Sequence, residues 1–176
     1  MPDFPKGNFL WLDSLAFLVL FFSPVVALKL NYIIDVFLAG LFMYILMVYL
    51  IKKPKFAFIS SLIYMLNGYM MMMFRDGWMT SMNAYAFMPL ILLFIIKLFK
   101  SKDWIKYSVI LAVLFAIQMR VGPDLKVFLW TGLMFFVYLV VYLVGKNFLN
   151  RLLKVFFAGF IVLVILFGLA TFLSRL

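Results

Sequence analysis

Ionisable chemistry in this 176-residue sequence rests on few side chains. All of its acids are aspartates: Asp3, Asp13, Asp35, Asp76, Asp103 and Asp124. Cysteine and histidine are absent. That removes disulfides, thiolate or imidazole metal ligands and any serine–histidine relay. A general base or a metal-bound carboxylate must come from the aspartates. No cofactor is expected, and no ligand spacing supports a divalent metal. The polar residues that could form a site fall in two stretches. Arg75, Asp76, Trp78 and Asn83 occupy one predicted loop, while Gln118, Arg120, Asp124 and Lys126 surround another. Asp35 opens an adjacent segment. Arginine forks onto phosphate oxygens and a carboxylate accepts from hydroxyls, so such a ring suits an anionic headgroup. Arg75, Asp76, Asn83, Arg120, Asp124 and Lys126 are therefore the candidate substrate-binding residues.

Each also fits a plainer role. Arg75–Asp76 equally suits a solvated turn. Asp124 follows Gly122-Pro123 and suits the first turn of a helix, where an acid complements the dipole. Arg120 and Lys126 suit anchors to lipid phosphate. Asn67, just before Gly68, suits a hydrogen bond between helices. The Met70–Met73 run reads as flexible apolar filling.

The elements that must position these residues are apolar. Hydrophobic residues make up 69% of the chain and charged residues 12%, with a mean hydropathy of +1.20. Soluble domains carry about 45–50% apolar and about 25% charged residues. Such a chain in water would expose large patches and aggregate, whereas lipid solvates the same surfaces. Apolar segments run at about 30–51, 56–74, 82–99, 105–119, 125–144 and 152–173. Open backbone groups are not tolerated in hydrocarbon, so these segments should be helices. The expected fold is all-α, a polytopic transmembrane helical bundle of six to seven hydrophobic segments. Residues 30–176 would form the bundle. Residues 1–29 hold one further apolar run, Phe9 to Leu28, interrupted by Asp13 and Pro24. An interfacial or re-entrant segment is slightly favoured there over a first span, with Pro24 breaking the helix. A signal peptide fits less well.

Charge gives the orientation. Lys52, Lys53 and Lys55 form one cluster; Lys97, Lys100, Lys102 and Lys106 a second; Lys146, Arg151 and Lys154 a third. The intervening loops are nearly neutral. The positive-inside rule then places the basic loops 52–55, 97–106 and 146–154 in the cytoplasm of a multi-pass cell-membrane protein. A net charge of +10 could signal nucleic acid, but its distribution in alternate loops assigns it to membrane orientation. The expected partners are the lipid bilayer and a further membrane protein, not nucleic acid.

Several stretches carry a resemblance. Residues 38–50, LAGLFMYILMVYL, lead through a KKPK turn to SSLIYMLNGYM and then to NAYAFMPLILL. With GPDLKVFLW at 122–130, this order resembles YfhO-like membrane proteins of the GT-C glycosyltransferase superfamily. The quoted positions are Tyr64, Asn67, Gly68 and Tyr69, followed by Pro89-Leu90. The resemblance covers roughly residues 20–145. It implies transfer of a sugar or related group from a polyprenyl-phosphate donor at the outer membrane face, with Arg75 and Arg120 on the phosphate. Members of that family place an acidic outer loop after a first span. Here Asp13 is the last acid before Asp35, so the resemblance implies a fragment or a reduced relative. Two other functions fit the same spans. One is a non-enzymatic membrane subunit or scaffold, with Ala112, Ala116, Ala158 and Gly159 at helix contacts. The other is a transporter or flippase for a neutral or lipid-linked solute.

Overall fold

Prolines open two of the helices, and a lysine pair reverses the chain between them. The structure, a computed structural model, describes residues 18–121, 125–143, 152–153, 155–157, 159–162 and 164–165. Helix α1, Pro24–Ile51, starts on a proline in its first turn, where the missing N–H would have had no partner anyway. A helical turn at 18–19 ends before Ser23, so the run does break at Pro24, which then opens α1 six residues before the expected Leu30. It ends at Lys52, whose φ of 58° is left-handed and whose N–H donates to the Val48 carbonyl. Lys53 is extended, as the residue before a proline must be. Pro54 then opens α2, Pro54–Met65.

The single apolar segment expected at 56–74 is divided. Helix α2 stops at Met65, and α3, Gly68–Asp76, restarts from Asn67. Asn67 is extended, and its side chain accepts a hydrogen bond from the Met70 N–H, 2.9 Å away. That is N-cap geometry, which favours asparagine because it satisfies a donor the helix leaves open. Helix α3 ends at Gly77 with φ 73°. The Gly77 N–H donates to Phe74 and the Trp78 N–H to Met73, a Schellman closure. Helix α4, Met79–Lys100, follows at once. Helices α5, Trp104–Val121, and α6, Leu125–Leu143, complete the order. No strand occurs among the described residues.

Helix α4 is the axis of the molecule. It packs against α1, α3, α5 and α6, and α1 also packs against α2. Within its apolar window 61% of residues are buried, against 22% in both α1 and the 54–76 segment. Helices α1 and α4 run in the same direction. Tyr32 and Ala39 cluster with Met82 and Ala86, Phe42 meets Phe87 with centroids 5.5 Å apart, and Leu46 packs with Leu93 and Ile96. Both helices therefore finish at the same, lysine-bearing end. Gly40 lets α1 approach α2 closely, since a Cβ there would lie 2.7 Å from the Met65 sulfur.

The outer faces are hydrocarbon. Ile33, Phe37, Ile63 and Phe136 are each more than half exposed. Among the described residues, three segments are long and apolar enough to cross a membrane: Pro24–Ile51, Pro54–Asp76 and Ser81–Lys100. The apolar stretches Trp104–Gln118 and Leu129–Val140 are shorter. Residues 1–17, the cluster at 146, 151 and 154, and much of the expected last segment lie outside the described residues.

Candidate functional site

Residues 81–86 of α4 gather polar groups from every neighbouring helix. Ser81, Met82, Asn83, Ala84 and Ala86 are all buried, so this stretch is enclosed on all sides. The helices supplying the enclosure meet it at one level. Tyr32 of α1 and Met70 of α3 cluster with Met82 and Ala86. Tyr64 of α2 and Asn67 reach Tyr85. Gln118 of α5 reaches Ala84 and also Thr131 of α6.

A proline creates the first part of this tier. Pro89 has no N–H, so the carbonyl of Tyr85, four residues earlier, loses its helical donor. The Tyr64 hydroxyl donates to that carbonyl across the helix gap, 3.0 Å away. The two tyrosine rings stack with centroids 4.5 Å apart and planes 7° from parallel. Asn67 Nδ2 donates to the Tyr85 hydroxyl at 2.6 Å and to the Tyr64 carbonyl at 2.8 Å, while its oxygen caps α3. Asn67 thus makes the contact between helices that its sequence suggested. The same side chain also explains the break between α2 and α3.

Gln118 builds the second part. It is 1% exposed, and its Nε2 donates to the Ala84 carbonyl at 3.0 Å and to Thr131 Oγ1 at 3.2 Å. Thr131 spends its own proton on the Val127 carbonyl, so its oxygen must act as acceptor. That fixes which end of the Gln118 amide is nitrogen. The other end, Oε1, is buried without a hydrogen-bond partner among the described residues. An orphaned buried acceptor costs about 1–3 kcal/mol, which makes this oxygen an open position for a donor.

Asp35 contributes the third part. It is 2% exposed and accepts a hydrogen bond from Asn31 Nδ2 at 3.1 Å, one turn away on the same face of α1. Among the described residues the one ion pair is Arg75–Asp76, and none of their lysine or arginine side chains pairs with Asp35. Parallel register with α4 sets Asp35 near the level of Ser81–Asn83. Ionisable residues buried within membrane helices are costly and mark functional positions by default.

Of the residues read from the sequence as one ring, the structure describes the side chains of Arg75, Asp76 and Asn83. Arg75 Nε donates to Asp76 Oδ1 at 2.8 Å in an exposed turn, with the two side chains 77% and 31% exposed. An adjacent exposed pair of this kind adds little stability, as the solvated-turn reading requires. Asn83 does not belong to that loop. It is 5% exposed inside α4, because the Gly77 turn is so tight that the helix resumes at Met79. Its Cα lies about 6 Å along the axis from Met79. Arg120 falls in α5 and Lys126 in α6; their side chains, and all of Asp124, lie outside the described residues. Sequence reasoning missed the Asn31–Asp35 pair as a buried unit, although its spacing of four was visible. It also passed over the pairing of Tyr64 with the carbonyl that Pro89 frees. No cluster of metal-ligand residues occurs among the described residues.

Fold and site together define a helical membrane protein with its polar interior concentrated near the end opposite the lysine turns. Comparison with protein-family models, curated proteins and solved structures gives no match.

Proposed function

We propose that this chain is the membrane core of a GT-C-type module that receives a polyprenyl-phosphate-linked sugar at the outer face of the cell membrane. The observation supporting this reading is the depth of the polar tier. Asp35, Asn83 and the open Gln118 oxygen lie about one helical turn below the Arg75 turn. With the lysine-rich loops in the cytoplasm, the tier sits just beneath the outer headgroups. Arg75, held by Asp76, offers its remaining N–H groups to a phosphate. Asp35, Asn83 and Gln118 Oε1 supply acceptors for sugar hydroxyls. The lysine-side half of the interior is built mainly from Ile91, Leu93, Ile95, Ile96, Leu98 and Phe99, and its buried Ser108 hydroxyl is spent on the Trp104 carbonyl. That favours handling of a headgroup at one end over passage of a solute through the bundle. It also disfavours a bare scaffold, since Ala112 is fully buried within the chain.

The test is photolabelling of the purified chain in nanodiscs by a photoreactive polyprenyl-phosphate sugar. A charge-assisted hydrogen bond is worth about 1.5–3 kcal/mol, so Arg75→Ala should weaken labelling about tenfold or more. Gln118→Leu should weaken it without removing the phosphate contact. Absence of labelling, or equal labelling of both variants and the parent, would refute the reading.

A further inference from the structure

We propose that Lys97 and Lys100 of α4, together with Tyr49 of α1, form a binding site for the phosphate of an anionic phospholipid at the lysine-bearing end of the bundle. The geometry is specific to two helices. Lys97 Nζ lies 5.5 Å and Lys100 Nζ 6.0 Å from the centre of the same Tyr49 ring. Lys97 Nζ is also 5.3 Å from the Phe94 ring. A ring face attracts each ammonium, and both lysines use the same tyrosine.

Among the described residues no carboxylate pairs with either lysine. Among the described residues the one ion pair lies at the opposite end, between Arg75 and Asp76. In the stretches 52–55 and 97–106, Lys52, Lys53, Lys55, Lys97, Lys100, Lys102 and Lys106 stand against a single acid, Asp103. Two ammoniums gathered on one ring, without a paired carboxylate among the described residues, suit the phosphodiester of one lipid, as basic pockets between membrane helices hold anionic headgroups. The surroundings select a lipid over free phosphate. Tyr49 is itself 36% exposed, and Ile45, one turn away on the same face, is 39% exposed. An acyl chain hanging from the phosphate would run along that ridge. This site is independent of the polar tier and of any sugar donor.

The test uses the full chain in phosphatidylcholine nanodiscs, with phosphatidylglycerol or inorganic phosphate added, read by unfolding temperature and by lipid retained in native mass spectrometry. Phosphatidylglycerol should raise the unfolding temperature and remain bound, while inorganic phosphate should do neither. Losing both charge-assisted contacts to the phosphate, Lys97→Gln with Lys100→Gln should weaken binding roughly tenfold or more. The paired control, Lys102→Gln with Lys106→Gln, removes the same charge from residues outside the Tyr49 site and should cost clearly less. Lys97→Arg with Lys100→Arg should retain binding, and unfolding temperatures in pure phosphatidylcholine verify that each variant folds. Equal losses in the two glutamine pairs would overturn the site in favour of diffuse surface charge. An equal effect of inorganic phosphate, or no preference for phosphatidylglycerol, would overturn the lipid assignment.

Discussion

Replacing Tyr64 by phenylalanine would test whether the Tyr64 hydroxyl substitutes for the backbone donor that Pro89 removes. The change deletes one oxygen and leaves the ring stack with Tyr85 in place. The lost bond is the 3.0 Å contact to the Tyr85 carbonyl, which then has no donor because Pro89 has no N–H. An unsatisfied buried carbonyl costs about 1–3 kcal/mol, whereas single interhelical hydrogen bonds in membranes average about 0.6 kcal/mol and reach about 1.7. The expected loss is about 1.5 kcal/mol, near the upper membrane value, because the orphan has no water to turn to. Pro89→Ala supplies the decisive background. Alanine restores the N–H four residues after Tyr85, so the carbonyl regains a helical partner. In that background Tyr64→Phe should cost about 0.5 kcal/mol, leaving a coupling energy of about 1 kcal/mol between the positions. The assay is reversible unfolding in mixed micelles across all four members of the cycle. Equal costs of Tyr64→Phe in both backgrounds would refute the argument.

Three further changes probe the turns that place the tier. Asn67→Ala removes the α3 cap and both Nδ2 donors, and should destabilise by about 1–2 kcal/mol in the same unfolding assay; Asn67→Ser, which keeps a capping oxygen, should recover part of that. Gly77→Ala forces a Cβ into the left-handed region and should cost about 1–2 kcal/mol, while Gly77→Asn, tolerated there, should cost less. Gly40→Leu drives a side chain into the Met65 sulfur and should cost about 1–3 kcal/mol by overpacking. Combining it with Met65→Ala should return much of the loss, and strictly additive losses would show that the close approach is not what Gly40 provides.

The all-α fold was legible because it follows from local rules. Apolar runs of membrane length leave few other structures, and Pro24 and Pro54 sit where prolines open helices. The alternation of lysine-rich turns was equally visible, and the parallel course of α1 and α4 places Lys52 and Lys100 at one end as that alternation requires. The break at Asn67 was hidden by the apolar residues on both sides, since composition records no difference between a continuous helix and a recapped one. Asn83 was misplaced for the opposite reason. The run from Arg75 to Asn83 contains enough polar residues to read as a loop, but a single left-handed glycine completes the turn. The tier itself depends on which faces meet. Asp35, Gln118 and Thr131 are far apart in sequence, and only the packing around α4 brings them to one level.

The unequal lengths of α1 and α4 make the bundle responsive to its solvent. Helix α1 has 28 residues and α4 has 22, so their lengths are about 42 Å and about 33 Å. A hydrocarbon layer is about 30 Å thick. The enclosed helix fits that layer nearly upright, whereas the lipid-facing one must tilt or project. A thinner or thicker bilayer would therefore act first on α1. Because α1 carries Asn31 and Asp35, membrane thickness becomes a lever on the spacing between that acid and the amides of α4 and α5.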